Sequence, residues 1–202
     1  MFYTPRLGDH GLRFDPFKAI VAPRPIGWIS SLDADGRVNL APYSFFNALS
    51  TRPHIVMFGS EGRKHSIANI EATGEFVCSL ATWDLREAVN LSSAPFAEGV
   101  SEFEAVGLEA APSRLVKPPR VAKAPAALEC KLIKTDAIPG LDGKPSGAIV
   151  AFGEVVGIHV DEACICDGRF DMTAARSIAR CGYMDYAVVD SLFQMQRPPG
   201  GD

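Results

Sequence analysis

Residues 23–47 read PRPIGWISSLDADGRVNLAPYSFFN, and this stretch decides how the N-terminal part of the fold begins. Side chains from Ile26 to Leu32 follow the two-residue periodicity of a β-strand. Asp35-Gly36 is a strong turn signal, and Val38–Ala41 is the expected returning strand. The stretch therefore predicts an antiparallel hairpin that leads into a loop rich in aromatic and amide side chains.

The next part of the chain, from residue 53 to residue 80, predicts a strand, a helix and another strand. Ile55–Phe58 is a continuous apolar run, which is typical of a buried strand. Lys64–Thr73 has helical spacing, and Gly74 follows it as a helix stop. Phe76–Leu80 is then the expected next strand.

Two short helices and a proline-rich connector are predicted in the middle of the chain. Asp84–Leu91 is compatible with a helix, and a second helix is expected from Ser101, where Ser-Glu-Phe-Glu has the pattern of a capping box. Ala110–Pro125 contains four prolines, so an extended connector is expected there.

The second half of the sequence predicts longer strands. Leu128–Leu132 alternates as a strand, and Ile149–Val160 reads as a long strand that Gly153 and Gly157 allow to bend. Thr135–Gly147, rich in glycine and proline, is predicted to be a long mobile loop. Because strands outnumber helices, we expect a mainly β fold with helical excursions (α+β), closed as a small barrel.

Composition restricts the class of protein. The chain has 202 residues, a net charge of −4 and a pI near 5.6, which argue against nucleic acid or an anionic membrane surface as the main partner. No apolar run approaches the length of a spanning helix and no signal-like start is visible, so we expect a soluble cytoplasmic protein with one domain over residues 1–202. The five cysteines lack the spacing of a disulfide framework or of a metal site, so reduced thiols and no metal are expected.

Two local stretches point to a ligand. Ser60, Arg63, Lys64 and Ser66 precede or begin a helix, where cations, hydroxyls and free N–H groups together suit a phosphate. A solvated charged turn that caps a helix fits the same residues. Tyr43–Asn47 offers hydroxyl and amide groups beside aromatic rings, which suit a flat ring with polar edges, although a core pair of phenylalanines beside a turn also fits.

The sequence contains neither a recognisable motif for a covalent nucleophile nor the glycine pattern of a nicotinamide dinucleotide site. Gly-x-Gly-x-x-Gly is absent, and none of the four histidines is evidently paired with a serine or cysteine nucleophile. We therefore predict no catalytic side chain and a mononucleotide-like cofactor that carries the chemistry.

The order and spacing of these segments resemble the flavin reductase-like family with an FMN-binding split barrel. That family includes flavoredoxin-like proteins and the reductase components of two-component monooxygenases. The similarity extends over most of the chain, in the segments Pro23–Ser31, Asn39–Asn47, Arg63–Ile70, Gly74–Val77, Asn90–Ser93, Ser101–Phe103, Gly107–Leu108, Leu128–Cys130 and Ile178–Arg180.

The resemblance implies a split β-barrel of the FMN-binding type, a homodimer with FMN near the subunit interface, and NADH or NADPH as a transient electron donor. A monooxygenase or another electron-transfer protein would be the partner. An FMN electron carrier reduced by a protein partner and a split-barrel binding module without reductase activity are the alternatives. The implied ligand set has three parts: Ser30, Ser31, Ser44, Phe45, Phe46 and Asn47 toward the isoalloxazine ring; Ser60, Arg63, Lys64 and Ser66 at the phosphate; Asn90 and Ser93 near the ring.

Overall fold

A computed structural model of the protein describes residues 1–97 and 99–198. Glu98 and residues 199–202, which belong to the predicted single domain of residues 1–202, lie outside the described ranges. The described strands are β1 (Arg24–Pro25), β2 (Gly27–Leu32), β3 (Val38–Tyr43), β4 (Phe46–Thr51), β5 (His54–Glu61), β6 (Glu75–Leu80), β7 (Ala110–Ala111), β8 (Arg120–Val121), β9 (Ala126–Pro139), β10 (Pro145–Val160), β11 (Ile165–Cys166), β12 (Arg169–Phe170), β13 (Ile178–Gly182) and β14 (Asp185–Val188).

The helices in the same ranges are short. They are α1 (Phe17–Ile20), α2 (His65–Thr73), α3 (Arg86–Leu91), α4 (Glu102–Ala105) and α5 (Met172–Ala175), with one 3₁₀ turn at Glu162–Cys164. None of the described helices is long and apolar enough to cross a lipid bilayer.

A seven-stranded antiparallel sheet forms the body of the protein, in the order β3-β2-β6-β9-β10-β5-β4. Strands β3 and β4 are its two edges, yet only Ser44 and Phe45 separate them along the chain. A sheet whose opposite edges are joined by so short a connection has to curl on itself, and this closure makes it a barrel. The predicted mainly β split-barrel fold is confirmed.

Alternation along β2 divides the apolar residues between two cores. Ile29 packs into a cluster with Phe58, Phe76 and the inner face of α2. Trp28, its neighbour, faces the opposite way into a second cluster beneath α3 and α4. Both side chains are fully buried, because the sheet is covered on both faces at this strand.

Local signals located most elements correctly. The Asp35-Gly36 turn joins β2 and β3, whose register pairs Leu32 with Val38. Helix α2 ends at Gly74, which adopts the left-handed conformation with φ +75°. The register of β10 against β9 shifts at Gly153 and again before Gly157, as the glycine pattern predicted.

One prediction was wrong. Thr135–Gly147 does not form a long loop, because β9 continues to Pro139 and β10 already begins at Pro145. Ala137 pairs with Ile149, and the turn closes through a hydrogen bond from the Gly140 N–H to the Lys144 carbonyl at 2.7 Å. The two prolines lie at the strand ends, where a missing N–H costs the ladder little, so they do not prevent pairing.

Candidate functional site

A cavity of about 670 Å³ opens where the closed edge of the barrel meets helix α2. A volume of this size is typical of small-molecule and cofactor sites. The cavity is surrounded by the N-terminal segment, β3 and the β3–β4 connection, the end of β5, the turn that begins α2, the segment that follows α3, and the start of α4. The lining residues are Lys18, Asn39, Ala41, Pro42, Tyr43, Ser44, Phe45, Gly59, Glu61, Arg63, Lys64, His65, Ser66, Ser92, Ser93, Ala94, Pro95, Phe96 and Glu102.

The N-terminus of α2 forms the cationic end of the cavity. Lys64 occupies the N-cap position in an extended conformation, and no side chain caps the first turn. The N–H groups of this turn therefore lack intrahelical acceptors and carry the positive end of the helix dipole. With Lys64 and His65 beside them, they form a site suited to an anion such as a phosphate.

Arg63 and Lys64 differ in their surroundings. The Arg63 guanidinium lies 2.7 Å from a carboxylate oxygen of Glu71, whose other oxygen accepts a hydrogen bond from the Thr135 hydroxyl at 2.8 Å. In the part of the chain that the structure describes, the Lys64 ammonium makes no ion pair or hydrogen bond. Lys64 is therefore the cation with an uncommitted charge at this end.

Phe45 forms an apolar wall of the cavity. Its carbonyl accepts a hydrogen bond from the Gly59 N–H at 2.7 Å, and a Cβ atom on Gly59 would come within 3.3 Å of the Phe45 Cβ. The guanidinium of Arg24 lies 5.7 Å from the ring centroid and donates to the carbonyls of Lys18 and Val21. These contacts hold the N-terminal segment against the Phe45 ring, so that the wall is built before any ligand binds.

Buried polar groups form the floor. Tyr43 is almost fully buried between the two ends of the cavity, and burial raises the pKa of its phenol despite the opposing effect of the nearby Ser66 and Ser60 hydroxyls. Tyr43 is therefore neutral near pH 7 and acts as a hydrogen-bonding group rather than an anion. Asn39, Ser66 and Glu102 continue this polar floor.

The structure brings half of the predicted ligand residues to the cavity. These are Ser44, Phe45, Arg63, Lys64, Ser66 and Ser93. Their contacts with a cofactor stay predictions, but their side chains or backbones surround the same space, although they come from separate segments of the sequence.

The two serines of β2 are placed elsewhere. Ser30 and Ser31 are fully buried. The Ser30 hydroxyl donates to the carbonyl of Pro119, and the Ser31 hydroxyl accepts from the Asn69 amide at 3.2 Å. Their hydrogen bonds are made inside the protein, so the structure does not bring them to the cavity.

Four further predicted residues also lie away from the lining. Phe46 packs over Gly27 in the core, and Asn47 is exposed on β4, where its side chain accepts from the Ala48 N–H. The Ser60 hydroxyl donates to the Gly62 carbonyl at 2.7 Å, so its hydrogen bond is made within the protein and not toward the cavity. Asn90 is exposed on α3, two residues before Ser92, where the segment that lines the cavity begins.

Sequence reasoning missed several lining residues. Lys18 comes from the N-terminal segment, and Pro95 and Phe96 from the loop after α3, where no local pattern distinguishes them. Glu102 lay within a recognised pattern, but the pattern was interpreted as a capping box. Helix α4 does begin there, yet the Ser101 side chain makes no capping bond, and Glu102 turns inward instead.

Comparison with known proteins agrees with this architecture. Residues 21–170 match the flavin reductase like domain family. An uncharacterized protein of Deinococcus radiodurans is 36% identical over 182 residues, which cover 84% of this chain and 77% of the relative.

Solved structures extend the likeness to nearly the whole chain. Nitrilotriacetate monooxygenase component B from Bacillus cereus superposes with a TM-score of 0.85 at 26% identity, over 96% of this chain and 98% of that one. A protein from Shewanella frigidimarina, described as a flavin reductase with a split barrel domain, also gives a TM-score of 0.85, at 22% identity and 98% coverage of both chains. The chain belongs to the flavin reductase-like family.

Proposed function

We propose that this protein binds FMN in the cavity described above and acts as an NAD(P)H-dependent flavin oxidoreductase. One observation carries the proposal: a single cavity of about 670 Å³ joins an uncapped, cationic helix N-terminus to an aromatic wall. A flavin mononucleotide has a phosphate at one end and a flat ring at the other, so the residues present fit both ends. Membership of the flavin reductase-like family supports a flavin as the ligand.

The phosphate would be held by the N–H groups of the first turn of α2 and by Lys64. Arg63 contributes less direct charge because Glu71 already pairs with it. The ring would lie along Phe45 and the β3–β4 connection, with the Ser44 hydroxyl available to its polar edge. The Ser93 hydroxyl donates to the Asn90 carbonyl at 2.6 Å, so it would serve the ring only as an acceptor.

A bound FMN would supply the redox chemistry, the transfer of a hydride from a reduced nicotinamide and of electrons to a second acceptor. No residue of this chain has to act as a general acid or base for hydride transfer. Its residues bind the phosphate, orient the ring and limit the access of water, which is how a protein scaffold assists cofactor chemistry.

The second acceptor is proposed to be another protein, such as a monooxygenase. The likeness to component B of nitrilotriacetate monooxygenase supports a separate partner for this step.

We further propose that this chain forms a single domain and works as a homodimer. Support comes from α1, which buries none of its residues and leaves Phe17 and Ile20 56% and 71% exposed. Light scattering after size-exclusion chromatography would measure the mass of the protein in solution, which should be twice the 21.7 kDa of one chain if the protein is a homodimer.

The first experiment is a visible absorption spectrum of the purified protein with and without added FMN. A flavin spectrum that bleaches anaerobically with NADH or NADPH is expected, and it would identify the donor. If the protein binds flavin but neither nucleotide reduces it, the protein is better described as an electron carrier than as a reductase. Protein that binds no flavin after loading would contradict the proposed function.

A further inference from the structure

Glu102 is a buried carboxylate that borders the cavity but does not belong to the predicted ligand set. It begins α4 and is only 6% exposed. Its Oε2 atom accepts a hydrogen bond at 2.9 Å from the Leu40 N–H, on the outer side of edge strand β3. In the ranges that the structure describes, no cation pairs with this carboxylate. A buried charge of this kind persists only where hydrogen bonds satisfy it.

Asn39 connects Glu102 to helix α2. With its amide oriented to satisfy both neighbours, Nδ2 donates to Glu102 Oε1 at 3.2 Å and Oδ1 accepts from the Ser66 hydroxyl at 2.9 Å. Asn39 is 8% exposed and Ser66 is 1% exposed. A continuous line of buried hydrogen bonds therefore runs from α4 through β3 to the second residue of α2.

The direction of these bonds follows from Glu102. A carboxylate can only accept hydrogen bonds, so it requires the NH₂ group of Asn39 to face it and turns the amide oxygen toward Ser66. The Ser66 hydroxyl then donates into the protein, and the first turn of α2, whose residues Lys64, His65 and Ser66 line the cavity, is held in place. From this geometry, and resting on the proposed function, we infer that Glu102 is a positioning residue for phosphate recognition, acting through Asn39 and Ser66.

The direction in which FMN affinity changes when Glu102 is neutralised distinguishes this positioning role from simple charge repulsion. Neutralising a negative charge near an anion site would strengthen phosphate binding if Coulomb interaction alone mattered. Loss of the positioning bonds weakens phosphate binding instead, because the amide of Asn39 is no longer oriented and the first turn of α2 is released.

Glu102→Gln tests the inference through the dissociation constants of FMN and of riboflavin, which lacks the phosphate, measured by fluorescence titration. We expect affinity for FMN to fall about tenfold, the equivalent of one charged hydrogen bond, while affinity for riboflavin stays within about twofold. Glu104→Gln, which alters an exposed carboxylate on the same helix, is the matched control and should change neither constant. Unchanged or tighter FMN binding by Glu102→Gln overturns the inference, and so does equal weakening of both ligands.

Asn39→Ala provides a second route if Glu102→Gln folds poorly. It should reproduce the loss that is specific to FMN, and the double variant should lose no more than either single variant, because both act on one line of bonds. Additive losses would show that Glu102 does not act through Asn39 and would overturn the inference. If the wild-type protein binds neither flavin, the proposed function fails as well. Wild-type binding with an unchanged FMN-to-riboflavin ratio in the variants overturns only the role of Glu102.

Discussion

The Arg63 guanidinium lies 2.7 Å from the Glu71 carboxylate, whereas the ammonium of the adjacent Lys64, which also lines the cavity, has no such partner in the described part of the chain. Two neighbouring cations that look equivalent in sequence therefore differ in the charge they offer to an anion. An ion pair presents little net charge at a distance, while an uncommitted ammonium attracts a phosphate directly.

Lys64→Ala should raise the dissociation constant of FMN about tenfold or more, because one charge-assisted hydrogen bond to the phosphate is lost. The rate at which bound FMN is reduced should change far less, since Lys64 holds the phosphate and not the ring. Flavin fluorescence titration and anaerobic stopped-flow absorbance measure the two quantities. An unchanged dissociation constant would remove Lys64 from the phosphate site.

The double variant Arg63→Ala/Glu71→Gln is the counterpart to Lys64→Ala. It removes both members of the ion pair and leaves the net charge unaltered, so FMN affinity should stay within about twofold of wild type. The amide introduced in place of the Glu71 carboxylate still offers an oxygen to the Thr135 hydroxyl, which limits structural disturbance. A loss as large as that of Lys64→Ala would show that Arg63 contacts the ligand despite its pairing.

Substitution of Phe45 should mainly weaken flavin binding, whereas substitution of the adjacent Phe46 should mainly lower the stability of the protein. Phe45→Ala removes a cavity wall and is expected to weaken FMN and riboflavin alike, with a small change in the free energy of unfolding. Phe46→Ala removes a partly buried ring that covers Gly27 and the core, and should cost about 3 kcal/mol of stability. Urea denaturation and flavin titration of both variants test this division, which equal effects on binding would contradict.

Gly153 is a position where the core leaves no room for a side chain. A Cβ atom there would overlap the Phe76 ring, coming within 2.6 Å of its Cε1 atom, and this ring is fully buried and has nowhere to move. Gly153→Ala should therefore destabilise the protein by about 2 kcal/mol. Gly157→Ala is the matched control on the same strand, because its Cβ would meet its nearest neighbour at 3.4 Å. Equal thermal midpoints for the two variants would refute the crowding argument.

Glu129 anchors the segment before β8 and should make stability depend on pH. Its carboxylate is 1% exposed and accepts from the backbone N–H groups of Arg114 and Leu115 at 2.7 and 2.6 Å, and it contacts the His159 ring. Burial alone would raise the pKa of Glu129, but the Arg114 N–H, the His159 ring and the Leu115 N–H outweigh it and hold the pKa below its ordinary value.

Because the folded pKa is lowered, the stabilisation from Glu129 is fully present above the unfolded pKa of about 4.3 and is lost as the pH falls through the folded pKa. Glu129→Gln should lower the free energy of unfolding by about 3 kcal/mol at pH 7. The difference from wild type should shrink below about pH 4. Urea unfolding of wild type and Glu129→Gln at pH 7 and below about pH 4 measures this difference in the free energy of unfolding. The exposed Glu154→Gln is the control. A difference that stays constant with pH would contradict the argument.

Local sequence signals were sufficient for much of the fold. The Asp35-Gly36 turn and the helix end at Gly74 each use a left-handed backbone conformation that glycine adopts readily, with φ +82° at Gly36 and +75° at Gly74. The register shifts of β10 fall beside Gly153 and Gly157, where the glycine pattern predicted them. The β9–β10 hairpin was missed because its prolines and glycines resemble those of a loop, and only pairing between Ala137 and Ile149 distinguishes it as a ladder.

Within the candidate site, the sequence by itself determined that residues 63–66 precede or begin a helix with cations at its N-terminus, and that residues 43–47 form an aromatic connection. The tertiary structure decided which side chains share the cavity. Ser30 turns inward because β2 is covered on both faces, and Phe46 turns inward because its ring packs against Gly27, whereas Lys18 and Glu102 reach the cavity from positions far along the chain. Barrel closure brings these segments together, and closure depends on contacts between distant residues that no local pattern records.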